Sequence, residues 1–462
     1  MREPTTDRVP RSADVSGLRS GFGGLVHAPR PGGAEPPWLP WRRNVAPEPD
    51  VVADARDPRD VVRAVAFCRE HGLDLAVQCG GHGAVRAQSG GLLLRTGGMT
   101  RVEVDPARRT ARVGGGALWG DVITAAARYG LAPVSGTSPS VGVAGYTLGG
   151  GLGWLTRRHG FAADNLVGAE VVTSDARLLH VGPDAHEDLF WALRGGGGNF
   201  GVVTGLEMRL YPVDRVRGGV LFFPLERAHA LLDAYRDSAA REPEDVVTAV
   251  VLLRLPDSAG IPDPLRGRAV VALRVCALSE EERARRHVDL LLSAAGAPLW
   301  GGIRPMRFQE LTSLSDPQPS PQVSEEHTDL FRTMPDEVVR ELVTTCARPD
   351  SPVSVVEVRN WSGAPGHLPA NTSPAGHRDA VLSVIAIAPG LGPRTRGPAR
   401  AEMERLAARL APYATGSVFL NFLSDPERVA AAYTPDNLRR LRELKRRFDP
   451  DNVLRFNHNI RP

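Results

Sequence analysis

Three glycine-rich runs fall between residues 80 and 201: Gly80-Gly81-His82-Gly83, the stretch from Gly142 to Gly153, and Gly195-Gly196-Gly197-Gly198-Asn199-Phe200-Gly201. Glycine lets a backbone turn tightly and brings its N–H groups close to an anion. Three such clefts close together point to a large ligand carrying a pyrophosphate; the structural alternative is tight turns and close packing. The first run follows the strand-like Leu73-Asp74-Leu75-Ala76-Val77, so the His82 imidazole sits where it can reach whatever the phosphates are attached to. No run is followed by the Lys-Ser/Thr of a P-loop, and Gly149-Gly150-Gly151-Leu152-Gly153 is not in the position of a dinucleotide fingerprint after a first strand. Nicotinamide binding is therefore disfavoured.

Composition narrows the class. The chain has 462 residues, 42% hydrophobic and 24% charged, enough for two or three globular domains. The net charge of +3 comes from dispersed arginines, without the dense basic block that nucleic acid binding requires. Arg439-Arg440 and Lys445-Arg446-Arg447 alternate with leucines and read as the solvated face of a helix. Cys68, Cys79, Cys276 and Cys346 form no CxxC pair, so neither a zinc site nor a disulfide framework is expected, and no metal is assigned. No apolar run is long enough for a membrane span and the N-terminus lacks a signal-peptide core. A cytoplasmic protein is expected.

The Pro-, Gly- and Arg-rich residues 1–45 read as an irregular arm. An α/β rhythm then begins: strand 51–55, a helix capped by Asp57 with Pro58 at its first position, strand 73–79, strand 92–94, the hairpin 102–113, helix 119–129, the hairpin 169–181, helix 186–194 and strand 202–211. From about 214 longer strands alternate, as at Thr248–Leu255 and Ala269–Ala277, and Ser279-Glu280-Glu281-Glu282 has the pattern of a capping box. A last strand at Val418–Phe422 and helix 435–447 precede the tail.

The order of these segments resembles the berberine-bridge-enzyme-like flavoproteins, of the FAD-binding superfamily that includes vanillyl-alcohol oxidase and p-cresol methylhydroxylase. The resemblance rests on Gly80-Gly81-His82, on Ser140 to Leu155, on Asp164-Asn165-Leu166, on Gly195 to Val203, and on Asn421-Phe422, Tyr433, Phe448 to Asn452 and Asn457-His458-Asn459-Ile460. It runs from about residue 45 to the end. It implies an α+β fold: a two-part FAD-binding domain of the p-cresol methylhydroxylase type, residues 46–213 plus the returning segment 416–462, and a substrate domain, 214–415, with an antiparallel sheet backed by helices. It further implies FAD joined to His82 through the flavin 8α-methyl carbon. The cofactor would be held by Gln78, Cys79, Gly80, Gly81, Gly83, Ser138, Gly142, Val143, Gly145, Gly149, Gly150, Gly153, Asn165, Gly198, Asn199, Gly201, Val202, Asn457 and Asn459.

Departures from the family pattern carry information. Many members form a second flavin bond from a cysteine in a Gly-x-Cys-Pro run; here that run is Gly136-Thr137-Ser138-Pro139, and a serine cannot make the thioether. One covalent link is expected. Cys79 is assigned no flavin bond and reads as a small buried side chain. Gln78 stands where the pattern usually has Arg, and Phe422 where some members have Tyr, so the usual phenolate base is missing. Alternation in Val355–Trp361 puts Glu357, Arg359 and Trp361 on one face. Glu357 is the leading candidate for base or substrate anchor, against the alternative of a surface pair with Arg359. Tyr146 and Asn421 are the other catalytic candidates. Tyr433, His458 and Asp449 read as structural, and His159 as a solvated cation at a helix end.

The function expected is an FAD-dependent oxidase that takes a hydride from a small-molecule alcohol, amine or activated C–H, a bacterial secondary metabolite, and is reoxidised by dioxygen. The alternatives are a flavin-dependent oxygenase or oxidative cyclase, and a non-catalytic flavoprotein that sequesters a small molecule. No nucleic acid or membrane partner is expected.

Overall fold

In the computed structural model, residues 15–29, 36–314, 320–369 and 371–462 are described. The first sheet contains β1 (Leu25–His27), β2 (Val51–Asp54), β3 (Leu75–Gln78) and β4 (Leu92–Arg95) in the order β1-β2-β4-β3, with β2, β4 and β3 parallel. Helix Pro58–His71 covers it. Asp57 accepts the backbone N–H groups of Arg59 and Asp60, and Gly72, at φ 63°, ends the helix. Its apolar stripe, Val61, Ala64, Val65 and Cys68, is buried against Val51, Leu75 and Leu92.

The second sheet joins β5 (Val102–Asp105), β6 (Thr110–Gly114), β7 (Leu166–Val172), β8 (Leu178–Val181) and β9 (Val202–Arg209) in the antiparallel order β5-β6-β9-β7-β8. The third has β10 (Arg215–Pro224), β11 (Val246–Arg254), β12 (Ala269–Ala277), β13 (Trp300–Arg307), β14 (Glu325–Phe331), β15 (Val355–Asn360) and β16 (Leu382–Ala388). All its pairs are antiparallel, in the order β13-β10-β12-β11-β15-β16-β14. Strand alternation gives this sheet two different faces. One buries Phe223, Val250, Leu273, Val358 and Val384 among helices that include Ala228–Ser238 and Asp336–Ala347. The other carries Arg274, Glu357 and Arg359. After Thr415 the chain returns to the first two sheets, where Leu441 and Leu444 join a core with Leu189, Phe200 and Leu206. The fold is α+β. Among the described residues no helix is long and apolar enough to cross a membrane.

Several expectations are corrected. The segment 1–45 is more than an arm: β1 pairs antiparallel with β2, although residues 1–14 and 30–35 lie outside the described residues. Val418–Phe422 forms no strand; a turn of 3-10 helix takes Leu420–Phe422. Ser279 caps no helix, because the helix starts at Glu282 and the Ser279 hydroxyl bonds the Asp245 carboxylate. Lys445 is not solvated but fully buried. Its ammonium donates to Asp449 Oδ2 at 2.6 Å and to the carbonyls of Asn199 and Leu454 at 3.0 Å.

A buried arginine ties the third sheet to the glycine-rich part. Arg157, just after the second glycine run, donates to the carbonyls of Glu242, Pro243, Val246 and Ser362, and pairs with the Glu242 carboxylate at 3.0 Å. Both side chains are almost wholly buried. Losing one partner of a buried pair strands the other charge. Arg157→Met is therefore expected to cost about 3–5 kcal/mol in urea unfolding; a loss below about 1 kcal/mol would show that the contact is not a staple.

Candidate active site

His82 lies in the loop that leaves β3. Gly81, at φ 74°, has its α-carbon against Pro40, where a Cβ would come within 2.4 Å of the proline ring, so only glycine fits. The backbone N–H groups of Trp41 and Arg42 donate to the carbonyls of Gly80 and Gly81 at 2.9 and 3.2 Å. This brings the Trp41 indole onto the His82 imidazole, with centroids 4.3 Å apart and planes 14° from parallel. Burial pushes the imidazole down to about 4, so it is neutral at pH 7. Its Nε2 lies 3.5 Å from Ser140 Oγ, which lies 3.1 Å from Ser138 Oγ. Its Nδ1 is buried with no hydrogen-bond partner.

The other glycine runs come in beside this loop. Gln78 Nε2 donates to the Trp38 carbonyl, and Cys79 Sγ packs against Gly142. Cys79 is half-buried rather than wholly enclosed. Gly142, Val143 and Gly145 open the short helix Val143–Leu148, which carries Tyr146. The Tyr146 ring is wedged so closely among Gly136, Gly151 and Gly153 that a Cβ on any of them would come within 3.0 Å of it. The Asn421 side chain spans this turn, donating to the Tyr146 carbonyl and accepting from Gly151 N–H, both at 2.9 Å, and it leaves no room for a Cβ on Gly149. Gly150 packs on Phe419. Asn421 thus holds the glycine turn, with both amide atoms engaged.

The tail returns to the third run. Asn199 donates to the carbonyls of Gly196 and His458 and accepts from Ile460 N–H. Asn457 donates to the Gly198 carbonyl at 2.9 Å. Asn457 Oδ1 and Asn459 Oδ1 are buried without partners. Gly201 and Val202 lead into β9, paired with Val172. Asn165 has all its amide atoms engaged by protein, donating to the carbonyls of His159 and Phe161 and accepting from the Tyr211 hydroxyl. Tyr433 donates to the Gly195 carbonyl, His458 bonds the Leu423 carbonyl, and Asp449 accepts from Lys445, so all three have structural partners. His159 is no solvated cation: it stacks on Tyr211 at 3.5 Å, and burial, with Arg158 nearby, pushes it down to about 4.

The third sheet supplies the charged wall. Glu357 Oε2 accepts from Arg274 at 2.7 Å, and Oε1 pairs with Arg359. Burial alone would raise the carboxyl, but Arg359 and Arg274 together outweigh it and hold it below the usual range. Burial pushes the Tyr146 phenol up, opposed by the charge of Arg359. Neither group is poised to accept a proton near neutral pH. Arg274 and Trp41 carry no site signal of their own in the sequence beyond the Trp38-Leu39-Pro40-Trp41 cluster in a polar segment, and Ser140 is marked there only as the start of the Ser140–Leu155 segment.

An FAD-binding domain model matches residues 49–182, and a berberine and berberine-like model matches 418–461. The (R)-6-hydroxynicotine oxidase of Paenarthrobacter nicotinovorans is 32% identical over 445 residues, covering 91% of this chain and 93% of its own. The chain belongs to the berberine-bridge-enzyme-like FAD-linked oxidase family. It is an FAD-linked oxidoreductase with the two-part p-cresol methylhydroxylase-type FAD-binding fold. An FAD-linked oxidoreductase of Dictyostelium discoideum is 26% identical over 433 residues, covering 91% of each chain. In structure, 6-hydroxy-D-nicotine oxidase of Arthrobacter nicotinovorans superposes with a TM-score of 0.83 at 26% identity over 97% of this chain and 99% of its own. Berberine bridge enzyme of Eschscholzia californica has the same fold, with a TM-score of 0.78 at 20% identity over 90% of each chain.

The residues present fit FAD. Glycine turns with no room for side chains lie next to buried polar atoms without protein partners: His82 Nδ1, Tyr146 Oη, Asn457 Oδ1 and Asn459 Oδ1. The neutral imidazoles have a consequence for pH. His82, His159 and His458 are each lowered to about 4, below the ordinary value of about 6.5 in an unfolded chain. Between those values the unfolded chain binds more protons, so stability is lost as pH falls from about 6.5 towards 4 and is full above. The urea midpoint is expected to drop between about pH 7 and pH 5; a flat or rising midpoint would contradict buried neutral imidazoles.

Proposed function

We propose that this enzyme holds FAD by one covalent bond, from His82 to the flavin 8α-methyl carbon, and uses it to oxidise a small molecule by hydride removal. The observation that carries the reading is the neutral His82 ring with an unpartnered, buried Nδ1 in a glycine loop. A neutral imidazole is a competent nucleophile, and an unbonded nitrogen is free to become the attacking atom. The new C–N bond would replace one 8α C–H and the imidazole N–H, with both hydrogens and the electron pair going to the flavin ring and then to dioxygen as hydrogen peroxide. Trp41 fixes the ring plane and Ser140 engages Nε2, which leaves Nδ1 as the bonding atom. Ser138, the residue in the cysteine position, is hydrogen-bonded to Ser140 and has no thiol to offer.

In this reading, residues 46–213 with 416–462 hold the cofactor and 214–415 supply the substrate wall. The glycine turns at 80–83, 142–153 and 195–201 present backbone N–H groups to the pyrophosphate, with the tail asparagines Asn457 and Asn459 closing over them. When bound, FAD would supply a two-electron acceptor that dioxygen can reoxidise. The chain's own residues bind, orient and exclude water. Tyr146 and the Arg274–Glu357–Arg359 cluster border the substrate. Asn421 acts through the Gly151 turn as a positioning residue. With Glu357 held ionised and paired, the proton released by an alcohol or ammonium substrate goes to water.

The absence of a poised base also suits a flavoprotein that sequesters its ligand. Anaerobic mixing with panels of alcohols, amines and benzylic compounds separates the two. The oxidase reading expects bleaching of the flavin band by one class, then recovery in air with about one peroxide per flavin. Tight binding without bleaching by any ligand would favour sequestration.

A further inference from the structure

The charged wall is unbalanced. Arg274 and Arg359, with side chains 12% and 13% exposed, face the single carboxylate of Glu357, itself 13% exposed. Register puts all three on one face, because Arg274 stands opposite Ala249, Ala249 opposite Arg359, and Glu357 is two residues from Arg359. The one other acid on this face in the five strands β12, β11, β15, β16 and β14 is Glu326, which has its own partner in Arg42 at 3.7 Å. Two guanidiniums thus share one anion, and one positive charge is left over.

Their donors are also under-used. Arg274 Nε is buried without a partner. The Arg359 guanidinium makes its pair with Glu357 and no other hydrogen bond or ion pair among the described residues. Around it are buried hydroxyls that lack partners too: Ser383 Oγ, opposite Arg359 on β16; Thr328 Oγ1, one strand further on; and Tyr146 Oη. Beside these polar groups the same face carries Leu253, Val355, Ile385 and Ile387, all only partly covered. Unused donors next to excess positive charge are what a carboxylate-sized anion needs, and the apolar strip suits the body behind it.

We propose that the substrate is an anion, an apolar molecule bearing a carboxylate or comparable oxyanion, seated on Arg359 and Arg274, and not a protonated amine. This rests on the oxidase reading above, whose site it specifies. Glu357 then serves as the internal counter-ion that keeps the two arginines apart and oriented when the substrate is absent; a substrate anion takes up the donors that Glu357 leaves free.

The test uses the purified holoenzyme, with its flavin content read from the visible spectrum before any titration. Phenylacetate, phenylacetamide and phenethylamine are titrated by calorimetry and by the flavin difference spectrum. The anion is expected to bind about ten-fold tighter than the amide, and the amine weakest. Arg359→Met should weaken phenylacetate about ten-fold while leaving the amide within about two-fold; Glu357→Gln should tighten phenylacetate about three-fold by removing the competing carboxylate. Amine or amide binding as tight as the anion, no binding by any of the three, equal losses for anion and amide in Arg359→Met, or no gain in Glu357→Gln would each overturn the proposal. Should Arg359→Met not fold, the Glu357→Gln arm still decides. A chain isolated without flavin would instead refute the oxidase reading, and the calorimetric charge preference would still be measurable.

Discussion

The third glycine run and the C-terminal tail depend on a lysine that never meets water. Lys445 carries its charge into the core from the last helix and meets Asp449, and its remaining donors reach the backbone of Asn199 and Leu454. Asp449 in turn accepts from the N–H groups of Val453 and Leu454. An ion pair of this kind is costly to bury and is tolerated because every donor and acceptor has a partner. Its effect is geometric. It fixes the third glycine run and the C-terminal tail to the same point, and Asn199 then clamps the tail through His458 and Ile460. Residues separated by more than 250 positions in sequence thereby form one wall.

The same logic recurs at the other walls. Asn421 reaches back to the second glycine run, Trp41 lies on the first, and Arg157, just after the second, ties the third sheet to it through backbone carbonyls. Side chains around the site are spent on holding backbone, and the chemistry is left to a few groups with unmet hydrogen bonds. Those groups divide by charge. His82 is neutral because it is desolvated, which suits a nucleophile. Arg359 and Arg274 flank the one carboxylate of Glu357, which suits recognition of an anion.

Local features of the fold were legible from sequence. The Asp57–Pro58 helix start, the two hairpins, the β12 boundaries at Ala269 and Ala277 and the face shared by Glu357 and Arg359 all follow from caps, turns and alternation. The glycine runs were legible as places of close backbone approach because such packing leaves a compositional trace. What sequence hid was partnership across distance. Lys445 has the periodicity of a solvated helix face, and nothing local shows that Asp449 and two carbonyls wait for it. Trp41 belongs to a segment of irregular composition, and its stacking on His82 arises from backbone hydrogen bonds to Gly80 and Gly81. Glu357 could be placed on the correct face, yet its second arginine, Arg274, comes from two strands away in the sheet.

Intact mass of the denatured protein, read beside the His82→Ala variant, decides whether His82 is the single covalent tether of the flavin. The expected mass is that of the chain plus one FAD, lost completely in His82→Ala and unaltered in Ser138→Ala. An adduct that survives His82→Ala, or one that disappears with Ser138, would contradict it.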